Sequence, residues 1–217
     1  NRAQDVVVED CVLYQSGLDE FRQGDGDVGT GLVVGDEVGV RSGPWRHAER
    51  VRVSRCLVVN AGSGFGVRNN KKVVGGVPDG YDTTIRELLV ERCTFVAGPD
   101  TRQGIGISEN TWGHGDVAGV FRECVFVMDG LSAGEVVNSN APGVKFEFNC
   151  FSPALPAGLG GTNAAIGAAA LVNPLSFGGA FDSDNYRPVN GGALVFEGRA
   201  VAGALEPMGE QRPPLPP

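Results

Sequence analysis

VVVEDC ending at Cys11, VRVSRC ending at Cys56, LLVERC ending at Cys93 and GVFREC ending at Cys124 are copies of one short pattern. The residue three before each cysteine is apolar: Val8, Val53, Val90 and Phe121. The residue two after it is apolar again: Leu13, Val58, Phe95 and Phe126. Apolar and polar residues alternate over these runs, which is the period of a half-buried strand rather than of a helix. Only RELLVERC, residues 86–93, looks helical locally, and its repeat partners do not share that pattern. A glycine then follows each cysteine, at Gly17, Gly62, Gly98 and Gly130, and punctuates the strand.

A second motif comes after each first one. It reads GLVVGDE from Gly31, GFGVRNN from Gly64, GIGISEN from Gly104 and GEVVNSN from Gly134. Aligned on the glycine, the fourth residue is always aliphatic: Val34, Val67, Ile107 and Val137. The tails are rich in Asn, Asp and Glu, as strand-ending turns are. Each unit therefore holds at least two short strands separated by a turn. The intervals between the cysteines are unequal while the motif is constant, so one coil per unit is joined by loops of different length. A fifth unit, VKFEFNCF at residues 144–151, fits best with Asn149 rather than Cys150 at the ladder position, which aligns Phe151 with Phe126.

The expected fold is all-β: a right-handed parallel β-helix, a solenoid of coils over residues 1–151, with an irregular C-terminal cap or last coil over 152–206 and a Pro-rich tail over 207–217. Stacking puts equivalent residues about 4.8 Å apart. The cysteines then form an interior ladder, because a free cysteine behaves as a small buried hydrophobe. Outward positions form ladders too. Directly before the cysteines stand Asp10, Arg55, Arg92 and Glu123, and two before stand Glu9, Ser54, Glu91, Arg122 and, in the shifted unit, Glu147. Alternating signs at Glu91, Arg122 and Glu147 read as register-setting pairs. The rival reading is a lyase-type basic site at Arg55 and Arg92.

The 217 residues carry a formal net charge of −8. That balance argues against nucleic acid, whose binding rests on neutralising phosphates. No apolar run reaches the roughly 20 residues of a membrane span. Five cysteines form no C-x-x-C and no zinc spacing, and an odd number cannot all pair within the chain. The start at Asn1, without an initiator Met, reads as a processed or truncated chain.

Together the VxVxxC and GxGxxxN patterns resemble the parallel β-helix repeat proteins of the pectin-lyase-like group. Residues 173–207, NPLSFGGAFDSDNYRPVNGGALVFEGRAVAGALEP, are similar to the closing segment of secreted bacterial β-helix proteins, in which "NPLF", "dYRL", "gSPAID" and "DIGAxE" follow in order. Asn173-Pro174-Leu175, Asn185-Tyr186-Arg187-Pro188, Gly192-Ala193-Leu194 and the run from Val201 to Glu206 stand in those places. "SPAID" is reduced to GALVF and "DIG" to AVAG. None of the lyases' catalytic Lys/Arg or calcium-carboxylate signatures is present, nor are the Asp clusters of polygalacturonase-like hydrolases. The resemblance thus implies a fold and a secreted or cell-surface location, and transfers no catalytic residue.

Function on a solenoid sits in loops and on one long face. Inserts at residues 35–50, 71–87 and 111–118 follow the second motif of successive coils and should cluster on one side. They hold Trp45-Arg46-His47, Asp79-Gly80-Tyr81-Asp82 and Trp112-Gly113-His114-Gly115-Asp116. Aromatic rings beside polar groups suit a sugar, the ring covering the apolar face of a pyranose while Asp, Arg and His bind its hydroxyls. Trp45, Arg46, Tyr81 and Trp112 are the candidate ligand residues. The bland alternative is that both tryptophans merely cover the flank. His47 and His114 are candidate acid–base groups, and Asp79 with Asp82 a candidate glycosidase pair. No metal site is expected; Asp25-Gly26-Asp27 and Asp182-Ser183-Asp184-Asn185 read as turns, with structural calcium as the alternative.

The leading expectation is therefore an extracellular protein that binds or cleaves a polysaccharide, by lyase or hydrolase chemistry if it cleaves. The alternative is a non-enzymatic structural or adhesive module of a surface appendage, filament or phage spike. Either could be a homo-oligomer.

Overall fold

The computed structural model describes residues 2–14, 30–36, 45–69, 73–74, 77–78, 82–108, 117–139, 141–152, 154–159, 161–165, 171–177, 180–189 and 203. Three parallel sheets stack the repeat. Sheet A contains β1 (Arg2–Glu9), β4 (Trp45–Ser54), β9 (Asp82–Glu91), β12 (Val117–Arg122) and β15 (Val144–Glu147), in that order. Sheet B runs β2 (Val12–Tyr14), β5 (Leu57–Val59), β10 (Thr94–Val96), β13 (Val125–Val127), β16 (Cys150–Ser152) and β17 (Ala164–Ala165). Sheet C runs β3 (Thr30–Asp36), β6 (Ser63–Asn69), β11 (Gln103–Ser108) and β14 (Val137–Ser139). The chain visits A, then B, then C, and repeats, so every pairing within these sheets joins neighbouring units. The RELLVE part of RELLVERC, Arg86–Glu91, lies within β9, because neighbours on both sides fix it as a strand, and Arg92-Cys93 form the turn that follows.

Inward-facing residues form one continuous core. Val53, Val90, Phe121 and Phe146 line sheet A, and Val58, Phe95, Phe126 and Phe151 line sheet B. The rings stack from unit to unit, with centroids 5.2 Å apart for Phe95–Phe126, 4.7 Å for Phe126–Phe151 and 5.0 Å for Phe121–Phe146. Offset ring stacking adds to the burial of area itself.

The turn from sheet A to sheet B is where the cysteines matter. Each Cys follows a residue in the left-handed region: Asp10, Arg55, Arg92 and Glu123, with φ between 50° and 55°. The thiol then points inward and reaches the preceding unit. Cys56 Sγ donates to Val8 O (3.8 Å), Cys93 to Val53 O (3.7 Å) and Cys124 to Val90 O (3.6 Å). All five cysteines are free. Burial pushes the Cys93 thiol well above its usual range, and its hydrogen-bonding contact with Cys93, together with burial, does the same for Cys56.

Asn149 continues this ladder, as the fifth unit's sequence requires. It pairs in register with Cys124, since Val125 lies opposite Cys150 and Phe126 opposite Phe151. Its Nδ2 donates to Phe121 O (2.9 Å), and its Oδ1 accepts the Cys124 N–H (2.9 Å). Asn163 adds a further rung, donating to Phe146 O at 3.0 Å. Cys150 lies on the opposite face of sheet B, where burial raises its thiol to about 11.

The second motif needs one correction. The glycine-based alignment equates Val137 with Ile107, but Val137 pairs with Ile105, and Ile107 with Ser139. The cause is a helical turn, α1 (Ala133–Val136), closed by a capping box in which Glu135 accepts the Ser132 N–H at 2.8 Å. That turn absorbs Gly134, which is not the counterpart of Gly31, Gly64 and Gly104. A Cβ on Gly64 would lie 2.7 Å from Gly104 O, and one on Gly104 2.6 Å from Val136 O. Val136, the last residue of α1 and directly before β14, stands at the glycine's place, and no described strand stacks above β14.

The C-terminal segment does more than close the last coil. Leu171 and Tyr186 are buried against the outer face of sheet B, with Leu57, Val59, Val96, Val125, Val127 and Cys150. Phe177 O accepts the Tyr14 hydroxyl at 3.3 Å, and Phe181 packs on Tyr14 at 5.2 Å, so the segment spans from the last units back to the first. The outer face of sheet B is apolar because this strap covers it. Residues 207–217 lie outside the described residues.

Candidate functional site

Three long connections join sheet C to sheet A: residues 37–44 between β3 and β4, 70–81 between β6 and β9, and 109–116 between β11 and β12. The second holds a short antiparallel hairpin, β7 (Val73–Val74) with β8 (Val77–Pro78). All three therefore leave the stack at one corner. In the fourth unit the same corner is crossed by residues 140–143 alone.

The C-terminal parts of the first two inserts are strand rather than loop. Trp45-Arg46-His47 opens β4, and Asp82 opens β9. Parallel pairing sets Trp45 opposite Asp82, Arg46 opposite Thr83 and His47 opposite Thr84, while Arg2 of β1 stands opposite His47. The sequence divides these residues between two loops; pairing with the neighbouring unit extends both strands back to the corner. Asp79, Tyr81, Trp112 and His114 lie outside the described residues, as does Asp25-Gly26-Asp27.

A row of left-handed residues separates this edge from the rest of sheet A. Asp5, Arg50 and Glu87 occupy it with φ of 54°, 54° and 53°, in three successive units. These left-handed non-glycine residues lie opposite one another in register and bend the three strands together at one level. The fourth unit has one residue fewer at this level, so β9 bulges against β12: Val117 stands opposite Ile85 and Gly119 opposite Leu88. Arg50 bridges Asp5 with two bonds of 2.6 and 2.9 Å, and Gln4 donates to Glu49 at 2.6 Å. Bonding to Asp5 raises the Arg50 guanidinium and, reciprocally, holds Asp5 below the usual carboxylate range.

Below this row, Glu91 is the electrostatic centre of the outward face. Its side chain is only 4% exposed. Arg52 Nε donates to it from the preceding unit at 2.7 Å, and Arg122 from the following one at 3.0 and 2.6 Å. Burial pushes the carboxyl up, but bonds from Arg122 and Arg52 outweigh it and hold Glu91 below its ordinary value. The sequence shows the Glu91–Arg122 pair; it misses Arg52, two residues before Ser54 on the same outward face, because ladder counting follows one column only. Ser54, opposite Glu91, is buried with its Oγ unpartnered among the described residues.

Arg55 and Arg92 are tied into the corner columns. Arg55 holds Asp10 at 2.6 Å and Glu9 at 3.2 Å, and Arg92 holds Glu123 at 2.9 Å. Asp182 accepts the Asp184 N–H at 3.0 Å and Asp184 pairs with Arg187 at 2.6 Å, so this acidic stretch builds a 3-10 turn at Ser183–Tyr186. At the far end of the stack a cavity of about 660 Å³ lies between the last unit, from Val137 to Glu147, and residues 156–161. No described helix is long and apolar enough to cross a membrane.

No protein-family model, curated protein or solved structure matches the chain.

Proposed function

We propose that the chain is a right-handed parallel β-helix of the pectin-lyase-like type, and that it binds a polysaccharide outside the cell at the corner between sheets C and A. The reading rests chiefly on one observation: the Trp45 and Asp82 positions, remote in sequence, are opposite one another in register at the corner where all three long inserts emerge. Tryptophan and aspartate are the residue types of a minimal sugar-binding pair, an indole ring suiting the C–H face and a carboxylate the hydroxyls. Arg46 and His47 continue the same edge, and Tyr81 and Trp112 belong to the adjoining inserts. The β9 bulge against β12 supports a site here, since bulges concentrate beside binding and active sites.

Binding is favoured over cleavage because Arg55 and Arg92, the basic candidates, hold structural ion pairs. The test is calorimetric titration with a panel of neutral and acidic polysaccharides, while absorbance near the unsaturated-uronate band follows any lyase product. Saturable binding that Trp45→Ala abolishes supports the reading. Absence of binding across the panel overturns it and leaves the structural or adhesive module.

A further inference from the structure

In a solenoid each unit touches only its neighbours, so a change in one unit fades along the stack. Every pairing within sheets A, B and C follows that rule. The C-terminal segment breaks it. Leu57, Val59, Val96, Val125, Val127 and Cys150 lie on the outer face of sheet B, yet each is at most 3% exposed. They come from the second to the fifth units, and Leu171 and Tyr186 pack with them in one apolar cluster.

The strap is a closed body of its own. Val172 N–H bonds to Arg187 O at 3.0 Å and Asn173 N–H to Asn185 O at 2.7 Å, and Leu171 bridges Pro188. The Tyr186 hydroxyl donates to Ser176 O at 3.0 Å, which ties the loop across its middle. From Tyr186 an aromatic row leads to the first unit. Phe181 stacks on Tyr186 with centroids 5.9 Å apart, and Tyr14 packs on Phe181 at 5.2 Å. Tyr14 also donates its hydroxyl to Phe177 O at 3.3 Å. Tyr14 and Cys150 belong to β2 and β16, four rungs apart in sheet B, or about 19 Å at the stacking distance. The same cross-linked loop touches the first unit at Tyr14 and closes the cluster that holds Cys150.

We propose that the C-terminal strap is a latch that couples the first unit to the fifth. Loosening Tyr14 releases the strap as a body and uncovers the outer face of sheet B as far as Cys150, without passing through the units between. Coupling over such a distance needs one element whose state both sites bias, and the strap is that element. Cys150 reports on it, because its thiol lies on this face, apart from the inward ladder of Cys11, Cys56, Cys93 and Cys124.

Alkylation of the native protein by N-ethylmaleimide, mapped by peptide mass spectrometry, gives the rate at Cys150. A buried thiol reacts in proportion to the population of the open form when closing is fast. Tyr14→Ala removes a hydrogen bond and a ring contact from the strap, and should speed Cys150 at least about fivefold. Tyr14→Phe keeps the ring and loses the hydroxyl, and should speed it by a smaller factor. Leu13→Ala is the control. Leu13 lies in the same strand but packs against the inner core, so its loss loosens the first unit without touching the strap. It should leave the Cys150 rate within about twofold of wild type. A Cys150 rate that Tyr14→Ala leaves unchanged would overturn the proposal. So would equal acceleration by Leu13→Ala, which would mean that the whole stack had loosened. No polysaccharide enters this measurement, so the latch and the ligand site can fail separately.

Discussion

Asn149 Nδ2 donates to the Phe121 carbonyl at 2.9 Å, in the place where the thiols of the earlier units make bonds of 3.6 to 3.8 Å. An amide here does the cysteine's work with a better donor, and its oxygen also takes the Cys124 N–H. Asn149→Ala removes one partner from each of two buried backbone groups, and should cost about 2–4 kcal/mol. Asn149→Cys keeps the bond to Phe121 and loses the one to Cys124, and should cost about 1–2 kcal/mol. Urea unfolding of the two variants measures the order.

Gly64→Ala and Gly134→Ala separate the corrected register from the glycine-based one. A Cβ at Gly64 meets the Gly104 carbonyl at 2.7 Å; at Gly134 it meets nothing within 4 Å. The first should destabilise by about 1–3 kcal/mol. The second, inside a helical turn, should be neutral or stabilising by up to about 1 kcal/mol. Thermal denaturation of both proteins decides; equal losses would restore Gly134 to the glycine column.

Removing Glu91 exposes its role in the stack. Glu91→Gln leaves Arg52 and Arg122 without their shared carboxylate, but both reach solvent, so the loss should be about 1–3 kcal/mol. Because the folded carboxyl is held below 4.5, its stabilisation is complete above that pH and disappears as pH falls through the lowered value. The wild-type protein should therefore lose stability over this acid range more steeply than Glu91→Gln. Parallel acid unfolding curves for the two would contradict the assignment.

How far the sequence reaches can be judged at individual residues. The cysteine columns and the Asn149 shift are visible because each unit repeats the same inward and outward alternation. The α1 turn is not, since Gly134 imitates the motif's glycine and only the Ser132–Glu135 cap betrays the helix. The strap across sheet B is also hidden: Leu171 and Tyr186 belong to no repeat, and what they cover is set by tertiary packing. At the candidate site, composition finds Trp45 and Asp82, but their alignment follows from pairing between units that lie far apart in the chain.

Thiol reactivity tests the ladder independently. Cys56, Cys93 and Cys124 are fully buried, whereas Cys11 is partly exposed. Native protein at pH 8 should give up Cys11 to a disulfide reagent first and retain those three until it unfolds. Burial raises Cys150 to about 11, so it should react only as the strap opens. Early modification of Cys93 would contradict the buried column.

Intrinsic fluorescence tests the ligand site most directly, because Trp45 and Trp112 are the chain's two tryptophans and both belong to strands or inserts at the sheet C to sheet A corner. Titration with a polysaccharide that binds by calorimetry should give a saturable emission change with the same midpoint, diminished in Trp45→Ala. Calorimetric binding without any change in tryptophan emission would place the ligand elsewhere and contradict the account.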